Sequence, residues 1–321
     1  MTRVLITGAA GGFGATLTAR LVGRDGVSVV GFDVRPPPVP IPAVNDFVVG
    51  DIRDPDAVER AMRGCDVVVH LAWVVGSMRD QSIRRAIDLG GTKNVLDAMA
   101  STGCRRLVFA SSVTAYGSVP DHPQPYVEAD PLVTKQPSAY ASHKAEAEVL
   151  IAAADVEAVL PRAAVVVGRH VDNAVRMVFA APVLAAVRGD DPHVQAVHQD
   201  DVGRFFVEAV LGSRTGPVNL AAADAVTMAE AADLLGKRIV RLPEPVVKAF
   251  LHTSWALRVG AIDPGEFNSL RYLPIADTTC LREEWGFVPR YSTAEALADF
   301  RSSLEHVVGL GRFEIRRGRP G

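Results

Sequence analysis

The sequence predicts an α/β fold, with a doubly wound parallel sheet and a smaller, mixed C-terminal lobe. Three observations lead to this prediction. Short apolar runs of strand length alternate with segments of helical spacing. A glycine-rich turn joins the first apolar run to the first helical segment. Polar residues follow several of the runs, at the position where parallel sheets bind their ligands.

Composition narrows the class of protein. The chain has 321 residues, 48% of them apolar, and a net charge of −3, which is typical of a soluble globular enzyme and unlike a nucleic-acid-binding protein. No apolar run reaches the roughly 20 residues that span a bilayer, and no signal-peptide layout precedes the first strand. Three scattered cysteines argue against a disulfide framework, and the histidines lack metal-ligand spacing. We therefore expect a cytoplasmic protein without a metal that acts on a small molecule, not on nucleic acid or membranes.

The first element is a buried strand from Val4 to Ile6, followed by a glycine turn and a helix that reaches Val22. Gly8 permits the turn, Gly11 lets a pyrophosphate approach the backbone, and Gly14 lets the helix pack closely on the strand. Amide groups at the helix start would face the phosphates. This layout indicates a Rossmann-type dinucleotide site, the alternative being an ordinary turn.

A second strand from Val27 to Phe32 ends at Asp33, about twenty residues beyond the glycine turn as the dinucleotide site requires. A carboxylate there accepts hydrogen bonds from both ribose hydroxyls and repels a 2′-phosphate, which favours NAD over NADP. Arg35, two residues further on, is a cation that can face a 2′-phosphate. NADP is therefore kept as the less favoured cofactor. The alternative for Asp33 is a solvated strand end.

The following elements continue the alternation. Residues 35–42 are rich in proline and predict an extended surface connection. Strands are expected at 47–52, 66–72 and 105–110, and helices at 55–62 and 82–100. Asp51, His70 and Ser112 then fall at strand ends and share one edge of the sheet with Asp33.

Residues 137–154 predict a helix, on which Tyr140 and Lys144 lie one turn apart on the same face. A strand is expected at 156–167, helices at 172–187 and 202–211, and a short strand at 218–220. A helix from Thr227 and a helical tail follow. The predicted division is a dinucleotide-binding domain of residues 1–167, which also receives about 194–220, and a smaller substrate-binding lobe of residues 168–193 and 221–321.

The spacing of Tyr140 and Lys144 indicates acid–base chemistry. A phenol has a pKa near 10 and is a poor base at neutral pH, but an adjacent ammonium group stabilises the phenolate and lowers this pKa. Tyr140 can then exchange a proton with an alcohol or a carbonyl, while Ser112 orients the same oxygen. The alternative is a core tyrosine beside a solvated lysine.

Together these motifs resemble those of the extended short-chain dehydrogenase/reductases, in the NAD-dependent epimerase/dehydratase branch. The resemblance extends over nearly the whole chain, through residues 7–14, 50–53, 69–72, 107–117, 137–144, 197–202 and 277–286. It implies catalytic roles for Ser112, Tyr140 and Lys144, and a homodimer. It also implies cofactor contacts from Gly8, Gly11, Gly12, Phe13, Gly14, Asp33, Asp51, Ile52, Leu71, Ala72, Tyr140 and Lys144.

Departures from the family pattern bear on the substrate. Family members usually carry Asn where this chain has Asp88, which can still hold a water or a backbone group but makes a proton relay doubtful. Nucleotide-sugar members tend to have an Arg near Val194 and an Asn in the strand that contains Arg162, and this chain has neither. A lost charge-assisted phosphate contact costs roughly 1.5–3 kcal/mol.

We therefore expect an NAD(P)-dependent oxidoreductase that interconverts a small or hydrophobic alcohol and its ketone or aldehyde by hydride transfer, with Tyr140 as general acid/base. One alternative is a nucleotide-sugar epimerase or dehydratase with tightly bound NAD. A second is a non-catalytic NAD(P)-sensing protein, although such a protein has no use for the set of Ser112, Tyr140 and Lys144.

Overall fold

A computed structural model describes residues 1–37, 46–119, 124–171, 176, 178, 179, 181, 183–259 and 262–308, with the backbone alone for 305–308. Its strands are β1 Thr2–Thr7, β2 Val27–Asp33, β3 Asp46–Val49, β4 Val67–His70, β5 Arg106–Phe109, β6 Ser111–Ser112, β7 Glu157–Ala163, β8 Val165–Val167, β9 Val183–Val187, β10 His193–Val194, β11 Ala196–His198, β12 Gly216–Leu220, β13 Val226–Thr227 and β14 Arg238–Leu242.

The described helices are α1 Gly12–Val22, α2 Pro55–Met62, α3 Gln81–Arg85, α4 Gly91–Thr102, α5 Ala139–Ala152, α6 Gln199–Leu211, α7 Met228–Leu234, α8 Glu244–Ala256, α9 Phe267–Arg271, α10 Thr279–Glu283 and α11 Thr293–Val308. A π-helical turn, Ala86–Gly90, joins α3 to α4. Short 3₁₀ turns cover Val113–Tyr116 and Pro264–Glu266.

The predicted doubly wound sheet is confirmed. Its strands run in the order β12-β7-β5-β4-β1-β2-β3, with β6 paired to β7, and every neighbouring pair is parallel. Parallel strands bring their carboxyl ends to one edge. Asp33, His70 and Ser112 end their strands there, and Asp51 follows β3 at the same edge.

Apolar residues cover both faces of this sheet, as parallel sheets require. On one face α1 and α6 pack through Leu17, Leu21, Phe205 and Phe206. On the other face α2, α4 and α5 pack through buried residues that include Val58, Met99 and Ile151. The sheet edge that carries the polar residues is therefore held between two rigid layers.

The C-terminal lobe has its own core, in which β8, β11, α7 and α11 enclose Val194, Ala231 and Phe300. Here one prediction is wrong. The helix expected over residues 172–187 does not extend through its second half, because Val183–Val187 is a strand that pairs in parallel with Arg238–Leu242. Residues 172–175 lie outside the described residues. An apolar run such as Val183–Val187 suits a helix or a strand, and only its distant partner decides between them.

Smaller differences concern the ends of elements. The π-helical turn divides the predicted helix 82–100, and a break at Ala164 divides the predicted strand 156–167. Helix α6 begins at Gln199 instead of Val202 because the side chain of His198 caps it. Of the proline-rich connection, residues 38–42 are outside the described part. None of the described helices combines the length and the apolar character that crossing a membrane requires.

Candidate active site

The glycine turn between β1 and α1 is built from backbone atoms in close contact. Gly8 has a φ of +73°, and a Cβ on it would lie 2.8 Å from the amide nitrogen of Ala72. A Cβ on Gly14 would lie 2.2 Å from the carbonyl oxygen of Gly8. No side chain fits at either position, so these two glycines hold the turn, the helix and the neighbouring strand together.

The start of α1 is open toward the cleft. Gly11 is the N-cap residue and offers no side-chain cap to the first amide groups of the helix. A Cβ on Gly12 would meet no atom within 4 Å. Uncapped amides beside open space fit the pyrophosphate of a dinucleotide. Phe13 is partly buried and packs its ring on Phe206, with ring centroids 5.0 Å apart.

Two carboxylates stand at the edge predicted for the nucleoside. Asp33 accepts a hydrogen bond from the amide of Ala10 at 3.0 Å through one oxygen, and its second oxygen suits a ribose hydroxyl. Asp51 is held by Arg53, whose guanidinium lies 2.5 Å from it and keeps the pKa of Asp51 below its usual value. Ile52 is buried against Gly91, so its side chain forms part of the floor under this edge.

Thr7, His70 and Thr92 form a buried hydrogen-bonded chain beneath the glycine turn. The amides of Leu71 and Ala72 both donate to Oγ1 of Thr7, which lies 2.8 Å from Nδ1 of His70. Nε2 of His70 lies 3.1 Å from Oγ1 of Thr92. Burial lowers the pKa of His70 to about 3, so the imidazole is neutral. This histidine fixes the strand end and is not a proton carrier at neutral pH.

The predicted catalytic side chains converge at the start of α5. Ser138 caps this helix by accepting a hydrogen bond from the amide of Ala141 at 3.2 Å. Tyr140, in the first turn, is half-buried, and its helix packs against β6, the strand that carries Ser112. Ser112 also accepts a hydrogen bond from the amide of Thr114, and this fixes the position of its hydroxyl. This packing brings Tyr140 and Ser112, from distant segments of the chain, to the same edge of the sheet.

Lys144 follows one turn later, with its ammonium group 5.7 Å from the centroid of the Tyr140 ring. It donates a hydrogen bond to the carbonyl of Ala110 and lies 3.7 Å from the centroid of the Trp73 ring. Burial lowers the pKa of Lys144 to about 7. The same effect raises the pKa of Tyr140 to about 12, although the hydrogen bond with Ser112 opposes it.

That Lys144 lowers the pKa of Tyr140 stays a prediction, because burial is the largest cause of the net shift and raises this pKa. Loss of hydration raises the pKa of Tyr140, and the charge of Arg84 acts in the opposite direction. Tyr140 remains a neutral phenol at pH 7, a form that can donate its proton.

Behind Tyr140 lies a charged cluster that the sequence did not predict. Asp88 is fully buried and accepts hydrogen bonds at 2.9 Å from the amide of Val74 and from Nδ1 of His143. Arg84 is buried as well, with Nε 3.4 Å from Asp88. The expectation that Asp88 can hold a backbone group is confirmed. In the sequence, the spacing of four residues between Arg84 and Asp88 indicates that the two side chains can pair on one helical face. It does not indicate that both side chains are buried.

Ser111, the neighbour of Ser112, has a structural role. Its hydroxyl donates to Glu148, whose carboxylate pairs with Arg162 at 2.7 Å. Arg162 also donates to the hydroxyl of Tyr116, which in turn donates to Asn219. This buried network ties α5 to β7 and β12 and engages the hydroxyl of Ser111, so Ser112 stays the serine predicted for catalysis.

A family model for the NAD dependent epimerase/dehydratase family matches residues 4–210, which contain the glycine turn, Ser112, Tyr140 and Lys144. The chain belongs to this family. The family agrees with the prediction of NAD as cofactor, and with the open, uncapped helix start at Gly11.

Curated relatives of the chain include an uncharacterized protein of Mycobacterium tuberculosis, 38% identical over 312 residues. This alignment covers 97% of the chain but 31% of the relative, so the chain spans about a third of the length of this protein. An uncharacterized protein of Sinorhizobium fredii is 28% identical over 316 residues, with 92% of the chain and 76% of the relative covered. Short-chain dehydrogenase/reductase family 42E member 1 of Bos taurus is 41% identical over 114 residues, 34% of the chain and 29% of the relative.

Among solved structures, the UDP-glucose 4-epimerase of Thermus thermophilus, in complex with NAD, has a TM-score of 0.74 at 23% identity and covers 95% of this chain and 99% of its own. TunA, an NAD dependent NDP-hexosamine 5,6-dehydratase involved in tunicamycin biosynthesis, has a TM-score of 0.73 at 20% identity, with 95% and 98% covered. At these identities the likeness shows the shared fold.

Proposed function

We propose that this protein is an NAD-dependent oxidoreductase that interconverts a small or hydrophobic alcohol and its ketone or aldehyde, with Tyr140 as general acid/base. The observation that carries the proposal is the packing of α5, on which Tyr140 and Lys144 lie one turn apart, against the strand end that carries Ser112. The glycine turn and Asp33 would hold NAD at this edge, and NADP is the less favoured cofactor. When bound, NAD accepts or supplies the hydride.

The protein side chains handle the oxygen and its proton. Ser112 and Tyr140 both direct hydroxyl groups at the substrate oxygen, which fixes its position for reaction. Because a phenol is protonated at pH 7 and burial raises its pKa further, Tyr140 would donate its proton to the carbonyl oxygen in the direction of reduction. In the direction of oxidation the phenolate is needed, and a cation added beside the phenol lowers its pKa toward that form.

The lobe residues support a substrate without a nucleotide diphosphate. Val194, at the position where nucleotide-sugar members tend to have Arg, is fully buried in the core of the lobe. Arg271, a cation of the lobe, is held by Asp190 and by Glu244 at 2.6 Å. A guanidinium that already has two carboxylate partners is a poor phosphate ligand.

A second candidate is a nucleotide-sugar epimerase or dehydratase that retains its NAD through the reaction. It is favoured by the two neighbours named above, one a UDP-glucose 4-epimerase and the other an NDP-hexosamine dehydratase. The two candidates differ in the fate of the cofactor, since net oxidoreduction changes the nicotinamide absorbance and internal recycling does not.

The test is a panel of alcohols, ketones and UDP- or dTDP-sugars incubated with the purified protein and NAD(H) or NADP(H). We expect an absorbance change at the NADH wavelength with an alcohol or ketone, and stronger calorimetric binding of NAD(H) than of NADP(H). Conversion of a nucleotide sugar without net absorbance change would establish the second candidate instead. Binding of neither cofactor would refute both.

A further inference from the structure

The ammonium group of Lys144 lies in an aromatic enclosure formed by Trp73, Phe109 and Ala110. Its Nζ is 3.7 Å from the centroid of the Trp73 ring and 4.6 Å from that of the Phe109 ring. These two rings meet edge to face, with centroids 5.5 Å apart. Nζ also donates a hydrogen bond to the carbonyl oxygen of Ala110. Because Lys144 is only 3% exposed, these contacts stand in for the water that its ammonium group has lost.

Two carboxylates lie within electrostatic range of Lys144, and each has an arginine partner. Burial lowers the pKa of Lys144, and the charges of Asp88 and Glu148 oppose this effect. Asp88 lies 3.4 Å from Nε of Arg84, and Glu148 pairs with Arg162 at 2.7 Å. Since arginine balances much of both negative charges, the aromatic enclosure is the closest support of the ammonium group.

The indole N–H of Trp73 is buried and has no hydrogen-bond partner in the described part of the chain. A buried tryptophan usually finds such a partner, and an unpaired buried donor is destabilising. A phenylalanine would pack beside Phe109 without this cost. The ring of tryptophan, however, attracts a cation more strongly than the ring of phenylalanine does. The face of the ring therefore accounts for a tryptophan at this position, and its N–H does not.

Building on the proposed reaction at Tyr140, we propose that Trp73 is a positioning residue that holds the charged ammonium group of Lys144 against its ring face, one helical turn from Tyr140. Trp73 then acts through Lys144 and not on the substrate. Oxidation needs the phenolate of Tyr140, which a cation fixed 5.7 Å from the ring centroid would stabilise. The nearby His70 does not supply this charge, because burial lowers its pKa to about 3.

The competing interpretation is that Trp73 only fills space in the core beside the sheet, against which it packs. Fluorinated tryptophans separate the two interpretations, because fluorine withdraws electron density from the ring face and changes the size of the ring little. Monofluoro- and tetrafluorotryptophan in place of Trp73 weaken a cation–π contact in two steps and keep the packing. The same replacements of Trp285, which packs on Phe205 with ring centroids 5.2 Å apart, are the matched control.

The experiment measures the pKa of Lys144 in the purified protein, by NMR of lysine side chains that carry an isotope label at Cε. Lys144 is one of five lysines, so comparison with Lys144→Met assigns its signal. We expect the pKa of Lys144 to decrease with each step of fluorination at Trp73, by about one unit in total, as for a desolvated cation–π contact. Fluorination at Trp285 should leave it unchanged. A pKa of Lys144 that stays constant or rises in the Trp73 series overturns the proposal.

Turnover of the alcohols of the substrate panel is measured on the same proteins and on Tyr140→Phe. We expect kcat for oxidation to decrease several-fold with tetrafluorotryptophan at Trp73 and KM to stay unchanged, because Trp73 acts through Lys144. A change in KM alone would assign Trp73 to substrate binding and overturn the proposal. Absence of any Tyr140-dependent turnover would refute the proposed function. The pKa series would still decide whether Trp73 holds Lys144, so the two failures are distinguishable.

Discussion

The glycine turn and the start of α5 lie at the same edge of the sheet but are built from different atoms. In the turn, backbone meets backbone, as where Gly14 approaches the carbonyl of Gly8. In α5, side chains meet distant segments, as where Lys144 donates to the carbonyl of Ala110 and His143 contacts Asp88. The glycine turn depends on residues without a side chain, whereas the start of α5 depends on burial, which alters the protonation of its side chains. Substitutions can test this difference.

The largest effect is expected for Tyr140→Phe, which removes the phenolic proton from the side-chain site. Turnover should decrease by about 10²–10⁴-fold, the usual contribution of a general acid or base. NAD affinity should change little, because the glycine turn is untouched. Steady-state kinetics and calorimetry on the same preparation check both parts. Full activity in this variant would remove Tyr140 from the mechanism.

The backbone site is tested by Gly14→Ala, with Gly12→Ala as its matched control. A Cβ at Gly14 would be 2.2 Å from the Gly8 carbonyl oxygen, so the turn must shift, at a cost of about 3 kcal/mol in unfolding free energy and with loss of NAD affinity. At Gly12 a Cβ meets nothing within 4 Å, so stability should stay within about 0.5 kcal/mol. Denaturant unfolding measures both. Equal losses of unfolding free energy in the two variants would show that the close backbone contact at Gly14 does not hold the turn together.

The effect of burial on Lys144 predicts a pH-dependent stability difference. Its pKa is about 7 in the folded protein and 10.5 for an exposed lysine side chain, so the unfolded chain binds more protons between these values and the Lys144 contribution to stability rises with pH there. A pKa difference of about 3.5 corresponds to about 5 kcal/mol, and the hydrogen bond of Lys144 to Ala110 and its contact with the Trp73 ring offset part of this cost. Lys144→Met should therefore be more stable than the unmodified protein at pH 7, by about 2 kcal/mol. This advantage should shrink toward pH 10.

Urea unfolding of both proteins at several pH values between about 6 and about 10 measures how the difference in unfolding free energy changes with pH. An advantage of Lys144→Met that grows with pH would contradict the direction of the shift. A difference independent of pH would show that Lys144 titrates normally in the folded protein.

The smallest effect is expected for Asp33→Asn, which keeps an acceptor for the amide of Ala10 and removes the charge. NAD should bind about tenfold more weakly, and the preference over NADP should narrow, because repulsion of a 2′-phosphate is lost. Asp66→Asn is the control, since Asp66 likewise accepts from a backbone amide, that of Arg3, at the opposite edge of the sheet. An unchanged preference for NAD over NADP would show that Asp33 does not bind the ribose.

Much of the fold was predictable because its determinants are local. Gly8 and Gly14 indicate the turn by residue type alone, and the helix Pro55–Met62 has the predicted bounds, with Asp54 as its cap. The strand Val183–Val187 was not predictable, because Arg238–Leu242, which supplies its hydrogen bonds, is remote in sequence. A short apolar run lacks the periodicity that would distinguish it from a helix.

For the candidate site, the sequence by itself determined which residues stand at the sheet edge and which pair lies one turn apart, since strand ends and helical spacing follow from local patterns. Only the tertiary structure decided how these groups are protonated and what surrounds them. Tyr140 has a raised pKa and Lys144 a lowered one because other segments bury them, and Asp88 meets His143 across the fold. Hydration is a property of the whole fold, and for that reason no local motif reports it.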